Sequence, residues 1–132
     1  MKAQSAVEYL ILVAFVSIAV TIVLILAYFY TSASNDSIRI NQIESFANKI
    51  ISYSESVYYA GEPSQSSFMV YIPKGISSAT FSGNELIIEA SLASGDIIRV
   101  FKSKVELQGA INSNQGSRKL TVKAFSDRVV VS

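Results

Sequence analysis

Polar and apolar positions follow three different patterns along this chain. From Tyr9 to Tyr30, 22 residues run without a charge, a glycine or a proline, broken only by Ser17 and Thr21. That length meets the roughly 20 apolar residues an α-helix needs to cross a hydrocarbon core of about 30 Å. From residue 36 to 58 the pattern takes on a helical period. At 100° per residue, Ile40, Ile43, Phe46, Ala47, Ile50, Ile51, Tyr53, Val57 and Tyr58 fall in one arc of about 160°. Asp36 and Ser54 intrude on that arc, with Arg39 at its edge, while Asn41, Glu44, Ser45, Asn48, Ser52, Glu55 and Ser56 fall opposite. Gly61-Glu62-Pro63 supplies the helix stop. Read as one helix, Gln4 to Ala60 spans about 85 Å at 1.5 Å per residue. A domain of this size cannot bury such a helix, so the apolar half needs lipid or other subunits.

Beyond Ser67 the period shortens to that of strands. Phe68–Ile72 is closed by Pro73-Lys74-Gly75, and Ile76–Phe81 leads through Ser82-Gly83-Asn84 into Leu86–Leu92, where Leu86, Ile88, Ala90 and Leu92 alternate. Ser94-Gly95-Asp96 turns the chain into Ile97–Phe101. Val105, Leu107 and Ile111 alternate before the polar turn Asn112–Gly116, and Leu120, Val122 and Ala124 alternate again ahead of Val129–Val131. Short strands with closely spaced turn signals indicate an antiparallel sheet or small sandwich. The expected fold is α+β: a long N-terminal helix, apolar then amphipathic, followed by an antiparallel β domain packed on the distal half of that helix.

Composition sharpens this picture. Half of the 132 residues are hydrophobic, only 16% are charged, and the mean hydropathy is +0.38, against about 25% charge in ordinary soluble domains. The excess is concentrated in the apolar run, so the average mixes two solvents. With 11 Lys+Arg against 10 Asp+Glu the net charge is +1, which gives no basic footprint for nucleic acid. Cys, His and Trp are absent. That excludes disulfides, thiolate catalysis, the usual Cys/His zinc sites and imidazole acid–base chemistry within this chain.

Three readings of the apolar run compete. A cleaved secretory signal has small residues at Ser32-Ala33-Ser34, but its apolar region runs about 7–15 residues, and this one is longer. A plain signal anchor would insert with Lys2 and the amino terminus inside. A pilin-type leader would be cut before the apolar run and the run kept. Glu8 separates them, because a carboxylate in an apolar helix costs about 2.5–3.5 kcal/mol at the membrane centre and less near the interface. An anchor gains nothing from that cost, so Glu8 calls for a specific partner.

The stretch Lys2-Ala3-Gln4-Ser5-Ala6-Val7-Glu8-Tyr9-Leu10 resembles the start of archaeal type IV pilin precursors with a class III signal peptide. That family has a short basic leader, a small residue, a glutamine that becomes the new amino terminus, a glutamate four residues on, an aromatic and a long apolar helix. Val70-Tyr71-Ile72-Pro73-Lys74-Gly75-Ile76 also resembles a recurring strand-and-turn stretch in archaeal pilin domains. The resemblance implies cleavage between Ala3 and Gln4 by a membrane-embedded prepilin peptidase. It implies that Glu8 pairs with the freed amine of a neighbouring subunit, the arrangement in which a buried carboxylate becomes tolerable. It further implies a filament core carried by Leu10, Val13, Ile18, Ile22, Ile25 and Phe29. The chain departs from bacterial pilins in lacking a phenylalanine at the processed end, a terminal disulfide loop, and any Gly or Pro from Gln4 through Ala60. It also lacks a glycine-punctuated start like that of archaellins, which favours an adhesive pilus.

Other chemistry is sparse. Glu85 and Glu89 would share a strand face, with no partner acid, base or metal ligand beside them, so solubility is their expected role. Lys102, Lys104, Arg118, Lys119 and Lys123 tint the carboxyl end basic, as a solvated strand face or a weakly adhesive one. Asn35-Asp36-Ser37 matches the N-glycosylation sequon just outside the apolar run.

The sequence therefore points to a non-enzymatic structural subunit with no cofactor and no metal. It divides into a leader (1–3), a helix (4–60, with 9–30 for membrane and filament core and 31–60 for domain packing) and a β domain (61–132). Its expected partners are membrane lipid before assembly, the prepilin peptidase and assembly machinery, identical subunits in a helical polymer, and an adhesion target. Its expected place is the cell surface, with the precursor in the cytoplasmic membrane. The alternatives are a single-pass anchored surface binding module and a minor pilin or pseudopilin.

Overall fold

The computed structural model describes all residues, 1–132. One helix, α1, spans Lys2–Ala60. It begins two residues before the expected start at Gln4, so Lys2 and Ala3 of the expected leader are already helical here. It ends where the breakers predict, with Gly61 at φ 89° donating its N–H to the carbonyl of Tyr58 at 3.1 Å. Positive φ at this position suits glycine, which has no Cβ to clash. The chain's contacts divide into two units, Met1–Asn35 and Asp36–Ser132.

The second unit holds seven strands: β1 (Gln65–Ile72), β2 (Ile76–Ser82), β3 (Glu85–Leu92), β4 (Gly95–Lys102), β5 (Leu107–Gly109), β6 (Gly116–Ala124) and β7 (Val129–Val131). They form two sheets, one in the order β1-β6-β7-β5 and one in the order β2-β3-β4. All pairings are antiparallel except β5–β7, which is parallel over Leu107↔Val129 to Gly109↔Val131. The expected α+β fold with an antiparallel β domain is present, and this short parallel pair is an addition to it. The alternation of Val105, Leu107 and Ile111 reports burial rather than strand length: all three are buried, yet only Leu107 lies in a strand. In the other direction, β1 and β6 are longer than their apolar cores suggest, because Ser66 and Ser67 extend the ladder opposite Val122 and Thr121.

The two sheets meet where β2 and β5 run close together, the Leu107 N–H donating to the carbonyl of Gly83 at 2.9 Å. Around this junction the inward residues of both sheets and one face of α1 form a single apolar cluster. Helix residues Ile43, Phe46, Ala47 and Ile50 are at most 2% exposed. Fully burying such an aliphatic or aromatic side chain stabilises by about 1.5–3 kcal/mol. Tyr53, placed in the core arc by its spacing, lies instead at the rim, with its ring stacked on Phe68 at 4.1 Å.

The flanks of α1 are tied to edge strands by polar contacts. Lys49 Nζ donates to the carbonyl of Met69 on β1 at 2.6 Å, which occupies an edge acceptor that would otherwise be open to another strand. Glu44 lies 3.7 Å from Arg99 on β4. Both side chains of that pair are well exposed, so it contributes little to stability. The Lys104 N–H donates to Glu55 Oε1 at 2.9 Å.

Candidate functional site

The first unit is a helix whose apolar side chains face outward on every side. Tyr9, Leu10, Phe15, Ile18, Leu24, Phe29 and their neighbours are between half and four-fifths exposed, apart from Val13 at 40%. The stretch is long and apolar enough to cross a membrane. The six side chains expected to form a filament core, Leu10, Val13, Ile18, Ile22, Ile25 and Phe29, are all exposed. They are not set apart from the apolar residues between them.

The two aliphatic hydroxyls inside this stretch are satisfied internally. The Ser17 hydroxyl donates to the carbonyl of Val13 at 2.8 Å and the Thr21 hydroxyl to that of Ser17 at 2.8 Å, while Thr31 at the far end donates to Ala27 at 2.9 Å. Hydroxyls bonded back one turn leave no free donor, which suits a helix whose surroundings offer no water. Tyr9 opens the stretch and Tyr28 and Tyr30 close it. At 1.5 Å per residue Tyr28 and Tyr30 lie about 29 and 32 Å along the helix from Tyr9, close to the thickness of a hydrocarbon core. Tyrosines at both ends match the preference of amphipathic rings for membrane–water interfaces.

Glu8 is exposed one residue before the stretch and takes no part in either ion pair, Glu44–Arg99 or Asp127–Arg128. Ala3 and Gln4, the expected cleavage pair, are exposed and helical. Asn35 of the sequon is exposed, as is Ser37, and both are helical. The structure strings these residues along one helix and gathers none of them into a pocket.

Asp36 makes a turn-holding contact that the sequence did not predict. Its Oδ1 accepts the N–H of Ala93 at 3.1 Å and its Oδ2 that of Ser94 at 3.0 Å, both in the β3–β4 turn. The bond from the Ser94 side chain, with those of the two amides and the nearby Arg39 charge, holds its carboxyl below the usual value against the opposing effect of burial. Its signal in the sequence was the intrusion of a charge on the apolar arc. Ser54, the other intruder, is fully buried and its Oγ has no hydrogen-bond partner.

In the second unit, a groove of about 430 Å³ runs between α1 and β1 past Ile38, Gln42, Phe46 and Tyr71. Its one charged group, Lys49, is committed to the Met69 carbonyl. No cluster of three or more acidic side chains with metal-binding geometry is present. Glu85 and Glu89 do share the outward face of β3, as their spacing predicts. The basic residues separate: Arg118, Lys119 and Lys123 lie on β6, and Lys102 lies on β4 of the other sheet. Comparison of the chain with protein-family models, with curated proteins and with solved structures finds no match.

Proposed function

We propose that this chain is the structural subunit of an extracellular type IV-like pilus, assembled through its apolar N-terminal helix after removal of a short leader. One observation carries the reading. A helix of membrane-spanning length, exposed all round and with its serine and threonine hydroxyls bonded internally, is preceded by a single isolated carboxylate and followed by a folded β domain. In the membrane the stretch Tyr9–Tyr30 is solvated by lipid. After cleavage between Ala3 and Gln4 the same stretch moves into a bundle of identical helices. Lipid and bundle are comparably apolar, so side-chain packing rather than hydrophobic transfer drives the association. A head-to-tail contact that does not close generates a helical filament.

Glu8 sets the register in this scheme. Within the bundle its carboxylate meets the new amino group of Gln4 from a neighbouring subunit, and the attraction between the two charges offsets the cost of taking each out of water. Replacing Glu8 with alanine is expected to leave cleavage and export largely intact and to collapse filament yield. Filaments in normal amount from Glu8→Ala cells would overturn the reading.

A further inference from the structure

We infer that the outer faces of the two sheets are complementary contact surfaces, through which the β domain of one copy docks on that of the next. The inference deepens the filament reading and rests on it only for the identity of the partner, a second copy of this chain.

The two faces carry opposite charge. On the sheet β1-β6-β7-β5 the outward positions of β1 and β6 include Met69, Tyr71, Lys119 and Lys123, with Met69 directly across from Lys119. No strand of that sheet holds an acidic residue. On the sheet β2-β3-β4 the outward positions of β3 and β4 include Glu85, Glu89 and Asp96 beside Ile98 and Val100, with Lys102 the one cation. The first face therefore carries two positive charges and the second a net two negative. Each surrounds an exposed apolar patch: Met69 is 56% and Tyr71 48% exposed on one, Ile98 65% and Val100 50% on the other.

Both faces are held in place by hydrogen bonds within the domain. The Ser78 hydroxyl donates to Glu89 Oε2 at 3.1 Å and the Ser91 hydroxyl to Asp96 Oδ1 at 2.6 Å. Gln115 Nε2 donates to the Tyr71 hydroxyl at 3.0 Å. Fixed carboxylates and a fixed ring lose little freedom on docking. Complementary potentials favour this pairing and penalise like-on-like contact, in which basic would meet basic and acidic would meet acidic. Because the faces lie on different sheets, a copy bound through one leaves the other free, so the contact propagates instead of closing into a dimer.

The chain has no cysteine, so introduced cysteines report this contact cleanly. In the full chain, Met69→Cys combined with Ile98→Cys and treated with a short bismaleimide gives a ladder of dimers, trimers and larger species. Either single variant stays monomeric. Adding Lys119→Glu and Lys123→Glu reduces the ladder at least tenfold, and further adding Glu85→Lys and Glu89→Lys restores it, which shows that the reversed chains still fold. A dimer from a single-cysteine variant, or a ladder indifferent to charge reversal, overturns the inference. Sheared filaments of normal yield that give no ladder overturn it too, while leaving the filament reading standing. A charge-dependent ladder confined to membranes, with no filaments, supports the contact and removes the filament reading.

Discussion

Asp36 and Ser94, 58 positions apart in the chain, are joined by a 3.0 Å hydrogen bond from the Ser94 amide to the Asp36 carboxylate. The Ala93 amide binds the other carboxylate oxygen, so one side chain on α1 satisfies two backbone donors of the β3–β4 turn. The two bonds are part-buried, so water competes for these donors less than on an open surface. The contact lies at the start of the folded unit, six residues past Tyr30.

Replacing Asp36 with alanine is expected to lower the thermal midpoint of the β domain and to speed amide exchange at Ala93 and Ser94. Because the folded carboxyl is held below its ordinary value of 3.8, its stabilisation is present in full above that value. It fades as pH falls further and is gone below the folded value. Acid titration followed by amide exchange should therefore show the wild-type advantage over Asp36→Ala shrinking below about pH 4. An advantage that grows there would contradict this role.

Ser54 gives the opposite expectation. A buried hydroxyl without a partner incurs a desolvation cost that nothing offsets. Ser54→Ala should raise stability by up to about 1 kcal/mol, read as a higher denaturant midpoint with an unchanged slope. A loss of stability would mean that the hydroxyl has a partner.

These two residues mark how far the sequence could be read. Period and breakers located the helix end at Ala60, the inward alternation of β3 and β6, and the exposed apolar stretch, because each is a local pattern. Asp36 and Ser54 were visible only as exceptions, since what they meet, or fail to meet, lies on elements distant in sequence. The parallel partner of β5 was hidden for a related reason. Alternation fixes which face of a strand is buried, but not the direction of its neighbour. The charge split between the sheets was hidden as well: Lys102 and Lys119 read as one basic tint until strand order placed them on different surfaces.

Gly109 tests the parallel pair. Its φ is 131°, and a Cβ there would lie 1.9 Å from the backbone oxygen of Val131. Gly109→Ala should cost at least about 2 kcal/mol from backbone strain and clash. Gly83, at φ 58° with open space around it, should accept asparagine at a cost below about 1 kcal/mol. Chemical denaturation of both variants checks the contrast, and equal losses would contradict the β5–β7 geometry.

Ile50 and Ile22 separate folding from assembly. Ile50 is fully buried and Ile22 is 52% exposed. Ile50→Ala should destabilise the domain by about 2–5 kcal/mol. Ile22→Ala should leave the domain's unfolding midpoint unchanged and lower filament yield. An Ile22→Ala variant that unfolds more readily would place that side chain in a domain core.

In the filament reading the apolar helix is kept, trimmed at its start, and built into a polymer. The most direct test of that reading is the intact mass and amino-terminal sequence of the protein sheared from the cell surface. Filaments whose subunits begin at Gln4 are expected. A chain that begins at Met1 and is recovered only in membranes would contradict the reading.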